Sequence, residues 1–259
     1  MKKRSILRLI LLSLILLTGF NASFAQEEKE VQKHSVHWTY SGEEGPNHWG
    51  DLKPEYAPCK NGYTQSPIDI GTVYNTKLTP LKLTYLQTSI NIINNGHTIQ
   101  QNCSPGSSAI IYGKKYDLIQ FHFHTPSEHT VNGKHYPLEM HLVHKNKNGA
   151  IAVIGVFFKY GKPNKALQEI ISNIPKEVDK PVENKMSKIN IEELLPGKRK
   201  YYHYFGSLTT PPCSEEVNWN IYTTPVQASK EQIQKLHEIM GDNARPVQPL
   251  HNRFILESE

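Results

Sequence analysis

The chain has 259 residues, a formal net charge of +5 and 37% hydrophobic residues. Four of its basic residues, Lys2, Lys3, Arg4 and Arg8, fall in the first 25 positions, which hold no acid, so the remainder sets 25 basic residues against 24 acidic ones. That near-neutral remainder lacks the basic footprint of a nucleic-acid partner, and its apolar content is enough to bury a core, which excludes disorder.

The N-terminus reads as an export signal. Lys2-Lys3-Arg4 is a positive start, Leu9 to Phe20 is an uncharged, largely apolar run, and Ser23 and Ala25 are small residues at −3 and −1 of a cleavage site after Ala25. The run is shorter than the roughly 20 apolar residues of a membrane span. The expected organisation is therefore a signal peptide over 1–25, a flexible tail over 26–35 and one domain over 36–259. The mature chain would carry no membrane span and sit in the periplasm or outside the cell.

Strand patterns follow at Leu81–Tyr85, His97–Asn102, Ala109–Tyr112, Tyr116–His124, Leu138–Lys145, Ile151–Lys159 and Glu216–Tyr222. Turn residues separate them, among them Asn94-Asn95-Gly96 and Asn132-Gly133, and Asn148-Gly149 reads as a hairpin. A helix is predicted from Pro163, with Leu167, Ile170, Ile171 and Ile174 on one face and Pro175 as its stop. A second begins at Ser229, where Ser229 and Gln232 fit a capping box and Gly241 ends the turn. Many strands, short turns and two helices imply a mainly β (α+β) single domain on a large, mostly antiparallel, twisted central sheet with peripheral helices. The cysteines are Cys59, Cys103 and Cys213. In an exported chain two of them can pair, and all three pairings are open. A Cys59–Cys213 bond would close a loop of about 155 residues, worth up to about 5 kcal/mol on the chain-entropy model.

Two strand patterns carry the chemistry. In Gln120-Phe121-His122-Phe123-His124, alternation places His122 and His124 on one face with Gln120, while the phenylalanines face the other way. In Leu138 to His144, the residues Glu139, His141 and Val143 share a face. If these strands are neighbours, three imidazoles converge. Three histidines are the donor set of a zinc ion that keeps a fourth position open. Gln120 and Glu139 are then placed to accept the other ring N–H of a ligand and fix its tautomer.

Several blocks resemble the α-class carbonic anhydrases, and the exported bacterial members among them. They are Gln65 to Ile70, Asn94 to His97, Gln120 to His124, Ser127 to Thr130, Glu139 to His144, Tyr204 to Cys213 with Trp219, and Asn243 to Pro249. The resemblance covers roughly 36–255. It implies reversible hydration of carbon dioxide to bicarbonate and a proton, by attack of a zinc-bound hydroxide, in an enzyme classed as a lyase. By resemblance the zinc (Zn2+) ligands are His122, His124 and His141. Thr209 would accept a hydrogen bond from the hydroxide and donate one to Glu128, with Thr210 beside it. Val143, Val153, Leu208 and Trp219 would form the apolar wall for the substrate. His97 would shuttle the proton out, with Tyr40, Asn95 and Gln100 ordering the intervening waters. His129 and His144 match family positions of structural character. The resemblance also selects a Cys59–Cys213 disulfide and leaves Cys103 without a partner. It implies inhibition by sulfonamides and anions, and a homodimer as in many exported bacterial members. Thr125-Pro126-Ser127-Glu128 is a short connection where animal members carry an insertion, which predicts a wider mouth.

Two other readings compete. His122-x-His124-x₃-Glu128 also fits the first half of a cupin-like metal oxygenase, in which Glu128 would bind metal. The cupin glycine is missing, however, since position 116 is Tyr116, and no second half surrounds His141. A non-catalytic binding module on the same scaffold would be expected to have lost a zinc histidine, and all three are present.

Overall fold

The structure is a computed structural model and describes residues 37–259. The predicted signal peptide and tail lie outside the described residues. In chain order the strands are β1 (Asp69–Ile70), β2 (Tyr74–Thr76), β3 (Lys82–Thr84), β4 (Thr88–Asn94), β5 (Ile99–Asn102), β6 (Ser108–Ile111) and β7 (Lys114–His124). They continue as β8 (Thr130–Val131), β9 (Lys134–His135), β10 (Leu138–Lys145), β11 (Ile151–Tyr160), β12 (Val182–Ile189), β13 (Tyr201–Gly206), β14 (Val217–Ala228) and β15 (Leu256–Ser258). Twelve of them form one sheet, ordered β12-β4-β5-β7-β10-β11-β14-β13-β15-β2, with β6 pairing β7 and β3 pairing β6 at the side. β1, β8 and β9 form a separate small sheet.

The large sheet is mostly antiparallel, as expected, but β11 and β14 run parallel at its centre and β15 and β2 at its end. A parallel neighbour needs a crossover, and here the chain between β11 and β14 supplies helix α3 (Lys165–Ser172), β12 and β13. Helix α4 (Lys230–Met240) follows β14. The helices α1 (Trp49–Leu52) and α2 (Pro58–Asn61) are too short to show a period and were not predicted.

Alternation along the central strands separates two cores. Phe121, Phe123, Leu138, Met140, Leu142, Ile154 and Val156 pack on one side of the sheet, where Leu167 and Ile170 of α3 and Ile233 and Leu236 of α4 cover them. Each such residue, fully buried, contributes about 1.5–3 kcal/mol. Val153, Phe157, Trp219 and Ile221 pack on the other side with Ile68 and Ile70. The helix ends are fixed by side chains: Asn164 Oδ1 accepts from Leu167 N, and Ser229 and Gln232 complete the predicted box reciprocally. Gly241 closes α4 at φ +65°, a conformation that favours glycine.

Cys59 of α2 is bonded to Cys213, which settles the pairing left open by spacing alone. The bond ties the N-terminal segment to the turn that follows Thr209 and Thr210. Cys103 is free and largely buried, and burial pushes its thiol up to about 12, so it is not a reactive thiolate. Among the described residues no helix is long and apolar enough to cross a membrane.

Candidate metal centre

Strand register decides which side chains meet. β10 lies between β7 and β11, with His141 opposite His122 and Glu139 opposite His124. On its other flank His141 stands opposite Gly155, and Val143 opposite Val153, which in turn faces Trp219 on β14. One row across the sheet therefore runs Gln100, His122, His141, Gly155, Ile221, and the next runs Asn102, Gln120, Val143, Val153, Trp219. The first row carries two imidazoles and the second carries Val143, Val153 and Trp219. A side chain at 155 would crowd Glu139 and Ile221: its Cβ would lie 3.4 Å from Glu139 Oε1 and 3.0 Å from Ile221 Cγ1.

The three histidines come together, with ring centroids 4.6–5.4 Å apart. His124 and His141 are fully buried and His122 is partly exposed, so the cluster opens on the His122 side. Each ring is held by one nitrogen. His122 Nδ1 meets Gln120 Oε1 at 2.8 Å, His124 Nδ1 donates to the Asn243 carbonyl at 2.8 Å, and His141 Nε2 donates to Glu139 Oε1 at 2.8 Å. Carbonyl and carboxylate oxygens only accept, so these nitrogens carry the protons. That leaves His122 Nε2, His124 Nε2 and His141 Nδ1 with free lone pairs. One nitrogen from each residue lies within 4.8 Å of the other two. Burial and the neighbouring imidazoles hold His122 and His124 below their ordinary pKa, so both stay neutral donors. Burial also lowers His141, but the Glu139 carboxylate outweighs it and leaves a net rise.

Glu139 anchors a second, fully buried cluster. Its Oε1 also accepts from His129 Nδ1 at 2.8 Å, and its Oε2 accepts the backbone N–H groups of Glu128 and His129. Although burial opposes ionisation, the two histidines hold the carboxyl well below its usual range. His129 Nε2 then meets Tyr204 Oη at 2.7 Å, and Tyr204 meets Ser66 Oγ at 2.8 Å. His129 is therefore structural in character. His144 is as well: it lies on the opposite face, donates to the Leu142 carbonyl and accepts from Tyr85 Oη, and burial pulls its pKa down to about 4.

The other predicted residues are placed as follows. Trp219 packs edge-on against His141 at 4.9 Å and donates to the Ser207 carbonyl, which starts the loop bearing Leu208, Thr209 and Thr210. Tyr40 is partly buried against Trp38 and Trp49, and burial of its hydroxyl, with the Glu128 charge, raises the phenol pKa above its ordinary value. His97 is half-buried and stacked on Trp38, with centroids 3.6 Å apart, and burial with the nearby His37 lowers its pKa. Asn95 Oδ1 is taken by the backbone N–H groups of His97 and Thr98, so it shapes the turn. Gln100 donates to Asn102 in an amide ladder beside His122.

One expectation fails. Among the described residues no hydrogen bond joins Thr209 to Glu128. Glu128 Oε1 instead accepts the Arg245 backbone N–H at 3.0 Å, and Oε2 has no partner. Sequence reasoning also gave no role to Asn243, whose carbonyl holds His124 while its amide donates to the His97 and Phe123 carbonyls. The only signal was its place in the Asn243 to Pro249 block. Its bonds to His97, Phe123, His124 and Thr125 all span more than 100 positions.

The family model for eukaryotic-type carbonic anhydrase matches residues 44–259. A carbonic anhydrase of Klebsiella pneumoniae is 44% identical over 242 residues, 92% of this chain and 98% of its own. One from a Nostoc species is 41% identical over 99% of this chain and 97% of its own. Among solved structures, the α-carbonic anhydrase of Thermovibrio ammonificans, in complex with the inhibitor sulfanilamide, superposes with a TM-score of 0.83 at 50% identity. That match covers 85% of this chain and 99% of the other. The chain thus belongs to the eukaryotic-type, or α-class, carbonic anhydrase family, and its activity is the reversible hydration of carbon dioxide to bicarbonate and a proton.

Proposed function

We propose that the reaction runs at a zinc ion held by His122 Nε2, His124 Nε2 and His141 Nδ1. One observation carries this reading. His124 Nε2 and Glu128 Oε2 are both buried without a hydrogen-bond partner, and they stand 3.4 Å apart. Two lone pairs facing one another in a dry interior are costly, and a cation shared by three imidazole nitrogens turns that cost into binding. Glu128 does not close the set, since it falls outside the group of donors lying within 4.8 Å of one another, whereas tetrahedral zinc ligands stand about 3.4 Å apart. The bound ion would supply a Lewis acid that brings the pKa of a water to about 7, the value known for carbonic anhydrase.

The chain's own residues do the rest. Gln120, Asn243 and Glu139 fix the ring tautomers, so no lone pair is lost to a proton. Val143, Val153, Leu208 and Trp219 give carbon dioxide an apolar resting surface beside the histidines. Glu128 Oε2 has no partner among the described residues, and in the metal-loaded site it would be the acceptor for the Thr209 hydroxyl. A threonine whose proton is so engaged can only accept from a nucleophile, which orients it. The Thr209 backbone N–H is the donor for the developing negative oxygen, and Thr210 lines the same place. His97 accepts the released proton at the mouth, through waters ordered by Tyr40, Asn95 and Gln100. The disulfide and the N-terminal sequence pattern support export to the periplasm or beyond.

Metal analysis with a stopped-flow hydration assay tests the reading. One zinc per chain and carbon dioxide hydration blocked by a sulfonamide are expected. Stable zinc with no hydration would instead indicate a binding module. For the shuttle, His97→Ala is expected to lower hydration by up to about 10²-fold at low buffer, the lower end of the range for a positioned proton-transfer group, and imidazole is expected to restore it. Full, buffer-insensitive activity would remove His97 from the pathway.

A further inference from the structure

Arg245 is fully buried and lies in a stretch, 242–250, without helix or strand. No ladder therefore sets the position of its backbone. Its side chain does. Nη1 donates to Gln65 Oε1 at 2.9 Å and to the Ser66 carbonyl at 2.7 Å, and Nη2 donates to the Cys59 carbonyl at 2.8 Å. The guanidinium also lies over the Trp49 ring, 5.7 Å from its centroid. Three fixed acceptors and an aromatic face engage the planar fork in one orientation, which a flexible amine would not reproduce. Gln65 is itself held, since its Nε2 donates to the Cys213 carbonyl and to Glu215.

From that anchored position the Arg245 backbone N–H donates to Glu128 Oε1 at 3.0 Å. Glu128 has no exposure to solvent. Burying a carboxyl group without hydrogen-bond donors is costly, and the Arg245 N–H supplies one to Oε1. The free oxygen, Oε2, points to His124 and His141, at 3.4 and 3.8 Å. With one oxygen pinned, rotation of the carboxylate is restricted and the direction of the other is set.

We propose that Arg245 is a positioning residue for Glu128: its side chain, clamped to the Cys59–Ser66 segment, fixes the backbone N–H that aims the carboxylate. The inference rests on the role given to Glu128 above. It makes the Cys59–Ser66 segment, held by the disulfide and by Gln65, part of what orients the site.

A double-mutant cycle tests it, with zinc content and melting temperature measured for every variant. Arg245→Lys keeps the charge and loses the fork. It is expected to lower kcat about tenfold with KM changed less than about twofold, since positioning acts on the reacting state more than on binding. In the Glu128→Gln background the same change is expected to cost less than about twofold, because the group it positions is already disabled. A crystal structure of Arg245→Lys should show Glu128 Oε1 beyond about 3.5 Å from the residue 245 N–H, out of hydrogen-bond range. Should Arg245→Lys fail to fold, Gln65→Leu removes one acceptor of the clamp and is expected to lower kcat about threefold, again only when Glu128 is intact. Full activity, an equal loss in both backgrounds or an unmoved Glu128 would overturn the proposal. A fully active Glu128→Gln enzyme would overturn the role of Glu128 instead, so the two failures are distinct.

Discussion

His141→Ala is expected to leave a folded protein that neither retains zinc through dialysis nor hydrates carbon dioxide above background. Apparent zinc binding of about 10–16 kcal/mol spread over four ligands gives about 2.5–4 kcal/mol for one, a factor of roughly 10² to 10³ in affinity. His141 also sits at the centre of the arrangement: it faces His122 across the sheet and shares Glu139 with His129. The fold should survive, because Glu139 keeps its bonds to His129 Nδ1 and to the backbone N–H groups of Glu128 and His129. The measurements are zinc per chain, melting temperature and hydration rate. Retained zinc with normal turnover would mean that the cation sits elsewhere.

The triad was legible because period-2 alternation is rigid. Once β7 and β10 are strands, His122, His124 and His141 have no choice of face. What alternation could not supply was register, and a slip of one residue would have turned the histidines away. β10 was predicted to the residue, and β7 and β11 to within two residues of their ends. β12 was missed because it is a polar edge strand, and β13 because its run of Tyr201, Tyr202, His203, Tyr204 and Phe205 shows no alternation and carries buried groups on both faces. β4 was missed as well, because the asparagines around Ile90 and Ile92 weakened the signal. The parallel pairing of β11 with β14 is a property of the crossover and leaves no local trace. The same limit applied at the site. Gln120 and Glu139 lie two positions from the histidines they hold, and alternation revealed them. Asn243 and Arg245 reach His124 and Glu128 through main-chain groups, whose chemistry every residue shares, and their side chains bind carbonyls distant in sequence, which leaves no local pattern. The Thr209–Glu128 bond was carried over from resemblance alone, and the carboxylate is instead pinned from its other side by Arg245.

Glu128→Gln separates the two metal chemistries that the sequence allowed. The substitution preserves shape, yet an amide has one accepting oxygen where the carboxylate has two. If that oxygen stays on the Arg245 N–H, the group aimed at His124 and His141 becomes an NH₂, which can no longer accept from Thr209. The nucleophile then loses its orientation while the three imidazoles keep the cation. The expected result is full zinc content with kcat lowered by about 10² to 10³, the scale of removing one preorganised polar contact from a reacting centre. In the cupin-like alternative Glu128 is a ligand, and zinc itself should be lost, by the same factor as for His141→Ala. The distances favour the first outcome. Glu128 Oε2 comes within 3.4 Å of His124 and 3.8 Å of His141 but does not join the mutual 4.8 Å group that includes His122. A fourth tetrahedral ligand would have to be near all three. Zinc content and turnover measured on one preparation decide the matter: metal lost together with activity would make Glu128 a ligand and remove the open position on which carbon dioxide hydration depends.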